Sequence, residues 1–137
     1  MANILLDTNF LVIPFTLKVD IFSEINRIAD NPKIYVLDLS VLELEKIAET
    51  SKGKDSRAAK AALSYLDKMP ITIKKTVKHL NKAQSLNKIG SVDDKIVEFA
   101  HKNNYWVATQ DKLLKEKLKN KDIKIITLRQ KTHLIII

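Results

Sequence analysis

Four carboxylates stand where an apolar, strand-like run gives way to a helix-like one. They are Asp7 in Ile4-Leu5-Leu6-Asp7-Thr8-Asn9, Glu43 in Ser40-Val41-Leu42-Glu43, Asp93 in Ser91-Val92-Asp93-Asp94, and Asp111 in Val107-Ala108-Thr109-Gln110-Asp111. In an open parallel sheet, such junctions lie along the carboxyl edge, so acids distant in sequence can meet there. Clustered carboxylates suit hard divalent cations, which take oxygen ligands. Without a cation they raise one another's pKa values. Thr8, Asn9 and Thr109 are small polar neighbours suited to holding the carboxylates in place.

Each acid also has an ordinary role open to it. Asp7 and Asp111 can form Asx-turns or cap the following helix. Ser40-x-x-Glu43 fits a capping box, and Ser91-x-x-Asp94 has the same spacing, which makes Asp94 a capping candidate. Asp93 in a first turn interacts favourably with the helix dipole. Asp38, at the end of the second strand, is expected to face solvent.

The elements that must position these acids follow from hydrophobic periodicity. Strands are predicted at residues 3–6, 33–37, 71–73, 105–108 and 123–128. Helical patterns occupy 10–15 (ending near Pro14), 21–29, 40–50, 56–68, 91–102 and 112–120. Residues 74–90 are polar and Lys-rich, with a weak helical pattern at Leu80, Ala83 and Leu86. The apolar tail 134–137 is expected either to pair as an edge strand or to meet another subunit. Strands alternating with helices indicate a parallel α/β sheet. The two helices between the second and third strands would form a lid or side wall.

Composition narrows the function classes. The 137 residues are expected to form a single domain, 1–137. There is no cysteine, which excludes disulfides, zinc–thiolate sites and thiol catalysis. Two glycines leave no Gly-rich phosphate loop, and His79, His101 and His133 show no ligand spacing. Asn9 stands where an aspartyl-phosphate enzyme of the haloacid type would need a second Asp, and Asp7 lacks the paired acid of a receiver domain. No run approaches the ~20 apolar residues of a membrane span, and no secretory signal is evident, so a cytoplasmic protein with no membrane partner is expected.

The net charge of +8 favours a polyanionic partner. Basic groups cluster at Lys52, Lys54, Arg57 and Lys60, at Lys74, Lys75, Lys78 and Lys82, and at Lys95, Lys112, Lys115, Lys117, Lys119 and Lys121. They read either as solvated helix faces or as a phosphate-binding rim around an acidic pocket. Lys52, Lys54, Arg57, Lys112 and Lys115 are the candidate phosphate contacts.

Four ordered motifs carry a family resemblance: Leu5-Leu6-Asp7-Thr8-Asn9, Val41-Leu42-Glu43-Leu44, Val92-Asp93-Asp94-Lys95-Ile96-Val97-x-x-Ala100, and Ala108-Thr109-Gln110-Asp111-x-x-Leu114. Over nearly its whole length the chain resembles the PIN-domain nucleases. That resemblance implies a three-layer α/β fold whose central, mostly parallel five-stranded sheet is flanked by helices. It implies an endoribonuclease that uses Mg²⁺ or Mn²⁺. Asp7, Glu43, Asp93 and Asp111 would form the catalytic and metal-binding quartet, supported by Asn9, Thr109 and Asp94. Products with 5′-phosphates and 3′-hydroxyls would follow.

Within the family, Asp93-Asp94 and the ending Ile126-Thr127-Leu128-Arg129-Gln130-Lys131 resemble the archaeal and eukaryal branch related to small-subunit pre-rRNA processing nucleases. The implied partner is RNA, with pre-rRNA as the specific expectation. VapC-type toxins share the quartet and imply a small antitoxin partner instead. A homodimer and a non-catalytic RNA-binding scaffold are further alternatives.

Overall fold

The computed structural model describes residues 1–76 and 92–137. The weak helical pattern at Leu80, Ala83 and Leu86, His79, Lys78, Lys82 and the capping candidate Ser91 lie outside the described residues. The element order is β1 (Asn3–Leu6), α1 (Thr8–Thr16), α2 (Ile21–Ile28), β2 (Lys33–Leu37), α3 (Asp38–Thr50) and α4 (Lys54–Tyr65). After a 3₁₀ turn (Leu66–Lys68) come β3 (Thr72–Lys74), α5 (Val92–Asn103), β4 (Trp106–Ala108), α6 (Lys112–Lys119), β5 (Ile125–Arg129) and β6 (His133–Ile136).

The strands form one sheet in the order β3-β2-β1-β4-β5-β6. All neighbours are parallel except β5 and β6, which pair antiparallel. The sheet therefore has six described strands rather than the five predicted, because the apolar tail pairs as an edge strand. Strand order reverses between β1 and β4. In sheets of this kind the crevice outside the carboxyl ends at such a reversal is where ligands bind.

Successive side chains of each central strand point to opposite faces of the sheet, as the pleat requires, and enter two different cores. Ile4, Leu6, Val36, Ala108 and Ile126 join Phe10, Leu11, Ile21, Ile25, Leu44, Ala59 and Ala62 in one core. Leu5, Leu37, Val107 and Ile125 face the other way, against Ile96, Ala100, Leu114 and Leu118. The sheet is thus buried on both faces, by α1–α4 on one side and by α5 and α6 on the other. Ala58, Ala59 and Ala62 are all buried and let α4 lie close to its neighbours. Gly53 starts α4 with a φ of +64°, a conformation that favours glycine.

Three local departures from the sequence reading have physical causes. Helix α1 runs past Pro14 to Thr16: proline removes one backbone donor near the C-terminal end, and the Leu17 amide still closes the last turn on Ile13 O at 2.9 Å. Helix α3 begins two residues earlier than predicted. Asp38 does not face solvent; it is 8% exposed and accepts from the Leu39 amide (2.9 Å), the Thr76 amide (2.9 Å) and the Thr76 hydroxyl (2.7 Å). Ser40 is consequently inside the helix, and the capping box with Glu43 does not form.

The β6 edge is closed by side chains. Arg27 Nη2 donates to Leu134 O at 2.8 Å, and Leu134 N donates to Glu24 Oε1 at 3.0 Å. Glu24 and Arg27 pair with each other at 3.1 Å. They occupy backbone groups that would otherwise template another strand. The double variant Glu24→Ala/Arg27→Ala is expected to lower the melting temperature and to increase self-association in sedimentation velocity. No change in either would mean that water satisfies the Leu134 backbone equally well.

Candidate active site

Asp7 leaves β1 at the strand reversal and serves as the N-cap of α1, with Oδ1 accepting from the Thr8 amide at 2.8 Å. Oδ2 accepts from Asn9 Nδ2 at 3.0 Å and from the Thr109 hydroxyl at 2.7 Å. Asp7 is only 4% exposed, and Thr109 is fully buried. The Thr109 oxygen in turn accepts from the Asp111 amide at 3.0 Å. One hydroxyl therefore ties Asp7, after β1, to the first residues after β4. Asp111 is itself an N-cap, with Oδ1 accepting from Leu114 N at 3.1 Å. The ordinary capping roles are thus real at Asp7 and Asp111, and both remain open to the cleft.

Asp7, Glu43, Asp93 and Asp111 all line a cleft of about 570 Å³. Glu43 does not sit at a strand end. It lies in the second turn of α3 and faces the cleft. Asp93 projects from the first turn of α5. Asp94, its neighbour, points elsewhere and forms an exposed ion pair with Lys117 at 2.9 Å.

The electrostatics reflect this crowding. Burial pushes the Asp7 carboxyl up from 3.8 to about 6, opposed by the Thr109 and Thr8 hydrogen bonds and reinforced by the charges of Asp93 and Glu43. Burial also raises Glu43, against the lowering effect of the Thr8 hydroxyl and with help from Asp93. Asp93 is raised by burial and then by Asp111, with Lys117 opposing.

Among the described residues, no three acidic or histidine side chains are gathered closely enough to hold an ion unaided. Mg²⁺ binds through one or two carboxylates and keeps several waters, so a looser set of acids is compatible with it. The donors are all oxygen, which fits Mg²⁺ or Mn²⁺ and not a thiolate- or imidazole-loving metal. Burial first, and the neighbouring acids second, disfavour the ionised Asp7, Glu43 and Asp93, an imbalance that a cation would relieve.

The candidate RNA contacts divide between two places. Lys52, Lys54 and Arg57 are exposed around the α3–α4 turn, whose Ser51, Asp55 and Ala58 form a wall of the cleft. Lys112 is exposed and Lys115 half-buried on α6, where burial and Lys119 pull the Lys115 ammonium down and Asp111 pulls it up. Sequence reasoning missed Asp55 and Lys46, and named Lys117 only as part of the basic rim. Asp55 joins the cleft only because α4 packs beside α1, and no local signal marks it. Lys46 and Lys117 are cations felt by Glu43 and Asp93 respectively. Lys46 follows Glu43 by one helical turn, a spacing that could have drawn attention to it.

A sequence profile for a family described as a PIN-like domain matches residues 4–131. The chain is 34% identical over 138 residues to ribonuclease VapC4 of Methanocaldococcus jannaschii, covering 97% of this chain and 95% of that protein. A structure described as the PIN domain endonuclease Utp24 superposes with a TM-score of 0.73 at 22% identity, covering 98% of this chain and 90% of that one. A domain of a functionally unknown protein from M. jannaschii superposes with a TM-score of 0.63 at 19% identity, over 94% and 92%. At these identities the two structures are informative about the fold alone.

Burial, reinforced by the neighbouring acids, has a measurable consequence in metal-free protein. Folded Asp7 holds its proton more tightly than the unfolded chain does, so between pH 3.8 and about 6 the folded state binds more protons. Its contribution to stability therefore falls as pH rises through that window, by on the order of 3 kcal/mol. Asp93→Asn relieves part of the repulsion. It is expected to be more stable than the parent at pH 8 in EDTA, with the gap closing by pH 4, as read by urea unfolding. A parent more stable than the variant at pH 8 would contradict the crowding.

Proposed function

Because the chain belongs to the PIN-like domain family, we propose that it is a Mg²⁺- or Mn²⁺-dependent endoribonuclease acting as one domain over residues 1–137. The observation that carries this reading is the convergence of Asp7, Glu43, Asp93 and Asp111 on one cleft at the strand reversal of a chain with net charge +8. The curated relative is named a ribonuclease, which supports the same chemistry.

Asp7 and Asp93 are the principal metal ligands in this proposal, directly or through water, and Asp111 and Glu43 complete the set. Bound among these oxygens, the cation supplies a Lewis acid for the phosphodiester and acidifies water. The protein's own part is orientation. Asn9, Thr8 and Thr109 hold the Asp7 carboxylate against rotation with three donors. Asp94 acts at one remove, by engaging Lys117 beside Asp93. Exposed Lys52, Lys54, Arg57, Lys112 and the half-buried Lys115 bind RNA phosphates, which fixes the strand's position without reading its sequence.

For the biological role, we favour rRNA processing, in the cytoplasm. The Asp93-Asp94 pair and the Ile126–Lys131 ending support it. A toxin held by a small antitoxin is the second reading, favoured by the 34% identity to ribonuclease VapC4. No described helix is long and apolar enough to cross a membrane, which suits either role. Purified protein incubated with structured ribosomal RNA separates these readings from a non-catalytic scaffold, and growth arrest on expression would favour the toxin.

Asp93→Asn is expected to abolish Mn²⁺-dependent cleavage while leaving the circular dichroism spectrum unchanged. Full activity in that variant would remove Asp93 from the mechanism. Lys112→Ala and Lys115→Ala are expected to weaken RNA binding and to reduce the logarithmic salt slope by roughly 0.7 each. Unchanged slopes would count against the basic rim.

A further inference from the structure

The hydrogen bonds beyond the end of β4 single out Gln110, to which none of the catalytic or supporting roles above has been assigned. The β4–β5 pairing ends at Ala108 opposite Ile126, and the last backbone rung runs from Thr109 N to Ile126 O at 3.0 Å. The next acceptor facing β5 comes from a side chain. Gln110 Oε1 accepts from the Leu128 amide at 2.7 Å and from the Thr127 hydroxyl at 2.6 Å. The Gln110 backbone amide faces the other way and donates to Asn9 Oδ1 at 3.3 Å. Asn9 then donates through Nδ2 to Asp7 Oδ2 at 3.0 Å.

We infer that Gln110 is a positioning residue that fixes the divalent-cation site by anchoring the turn between β4 and α6 to β5. Its side chain stands in for a strand residue. The backbone is thereby free to leave the sheet at Thr109 without leaving Leu128 N and the Thr127 hydroxyl unpaired. Leaving there is what lets Thr109 reach Asp7 and lets Asp111 cap α6 at the cleft. The backbone bond to Asn9 orients that amide with its oxygen toward Gln110 and its nitrogen toward Asp7. Two of the three donors to Asp7, and the start of Asp111's helix, thus hang on one exposed glutamine.

Exposure separates positioning from stability. If the Gln110 acceptor is removed, water can reach the exposed bond at Leu128 N, and the loss is confined to one hydrogen bond, that of the buried Thr127 hydroxyl. Water holds no turn in register, however, and small displacements of reacting groups cost rate steeply.

The inference rests on the metal-dependent nuclease reading, and the test uses two variants with two kinds of readout. Gln110→Leu removes the acceptor, while Gln110→Glu keeps an oxygen that both donors can reach. Gln110→Leu is expected to lower kcat roughly ten- to a hundredfold with KM for RNA held. It is also expected to weaken Mn²⁺ binding by calorimetry, with a melting temperature close to that of the parent. Gln110→Glu is expected to recover most of both losses.

Parent-like kcat and Mn²⁺ affinity in Gln110→Leu would overturn the inference, as would equal losses in both variants. If Gln110→Leu unfolds, Thr127→Val decides instead, because it removes only one of the two donors: weaker Mn²⁺ binding supports the anchor, and unchanged binding overturns it. If the parent cleaves no RNA, the nuclease reading fails while the Mn²⁺ comparison still judges Gln110. A parent that binds no Mn²⁺ overturns both.

Discussion

The hydroxyl of Thr109 makes the connection on which the site's geometry depends. It donates to Asp7 and accepts from the Asp111 amide, so one oxygen joins the ends of β1 and β4. The bond is buried, where exchange with water is least able to replace it. Around it the sheet reverses direction, and the reversal opens the crevice. Asp7 cannot spread away from Asp93 and Glu43 to relieve repulsion, because three donors hold it. The structure therefore stores unfavourable charge at a fixed place, a common arrangement where a site is tuned for binding or chemistry rather than for stability.

Much of this was legible from residue order alone. The strands around Leu5, Tyr35 and Val107 read correctly because each is a short apolar run buried on both sides, which parallel sheets require. Asp7 was visible for the same reason, directly following such a run, and Asp111 stands just past another, after Thr109 and Gln110. Glu43 was found by its motif but mislocated, since the start of α3 was hidden. Asp38 opens that helix through Thr76, a partner 38 residues away, and capping rules that look only at neighbouring residues cannot see it. Asp55 reaches the cleft through the packing of α4 on α1, a purely tertiary event. Gln110 was in plain view within a motif, yet its role lies in a side chain imitating backbone, which no residue-type pattern announces.

The family match and the curated relative cover almost the whole chain, so family membership does not hinge on one motif. The superposed structures share the arrangement of strands and helices at about one-fifth identity. What they leave to the residues themselves is the distribution of charge: acids concentrated in one cleft, with lysines around the α3–α4 turn and along α6. That distribution would draw a polyanion in while leaving its bases unread.

The hydrogen bond between Thr109 and Asp7 spans 102 positions of the chain. Contacts of such separation form late, after the intervening segments have collapsed. While the polypeptide is still being translated, a nascent chain that has emerged only through β3 carries Asp7 and Glu43 but neither Asp93 nor Asp111. Until its second half is synthesised and docked, such a chain holds only two of the four acids that converge on the cleft.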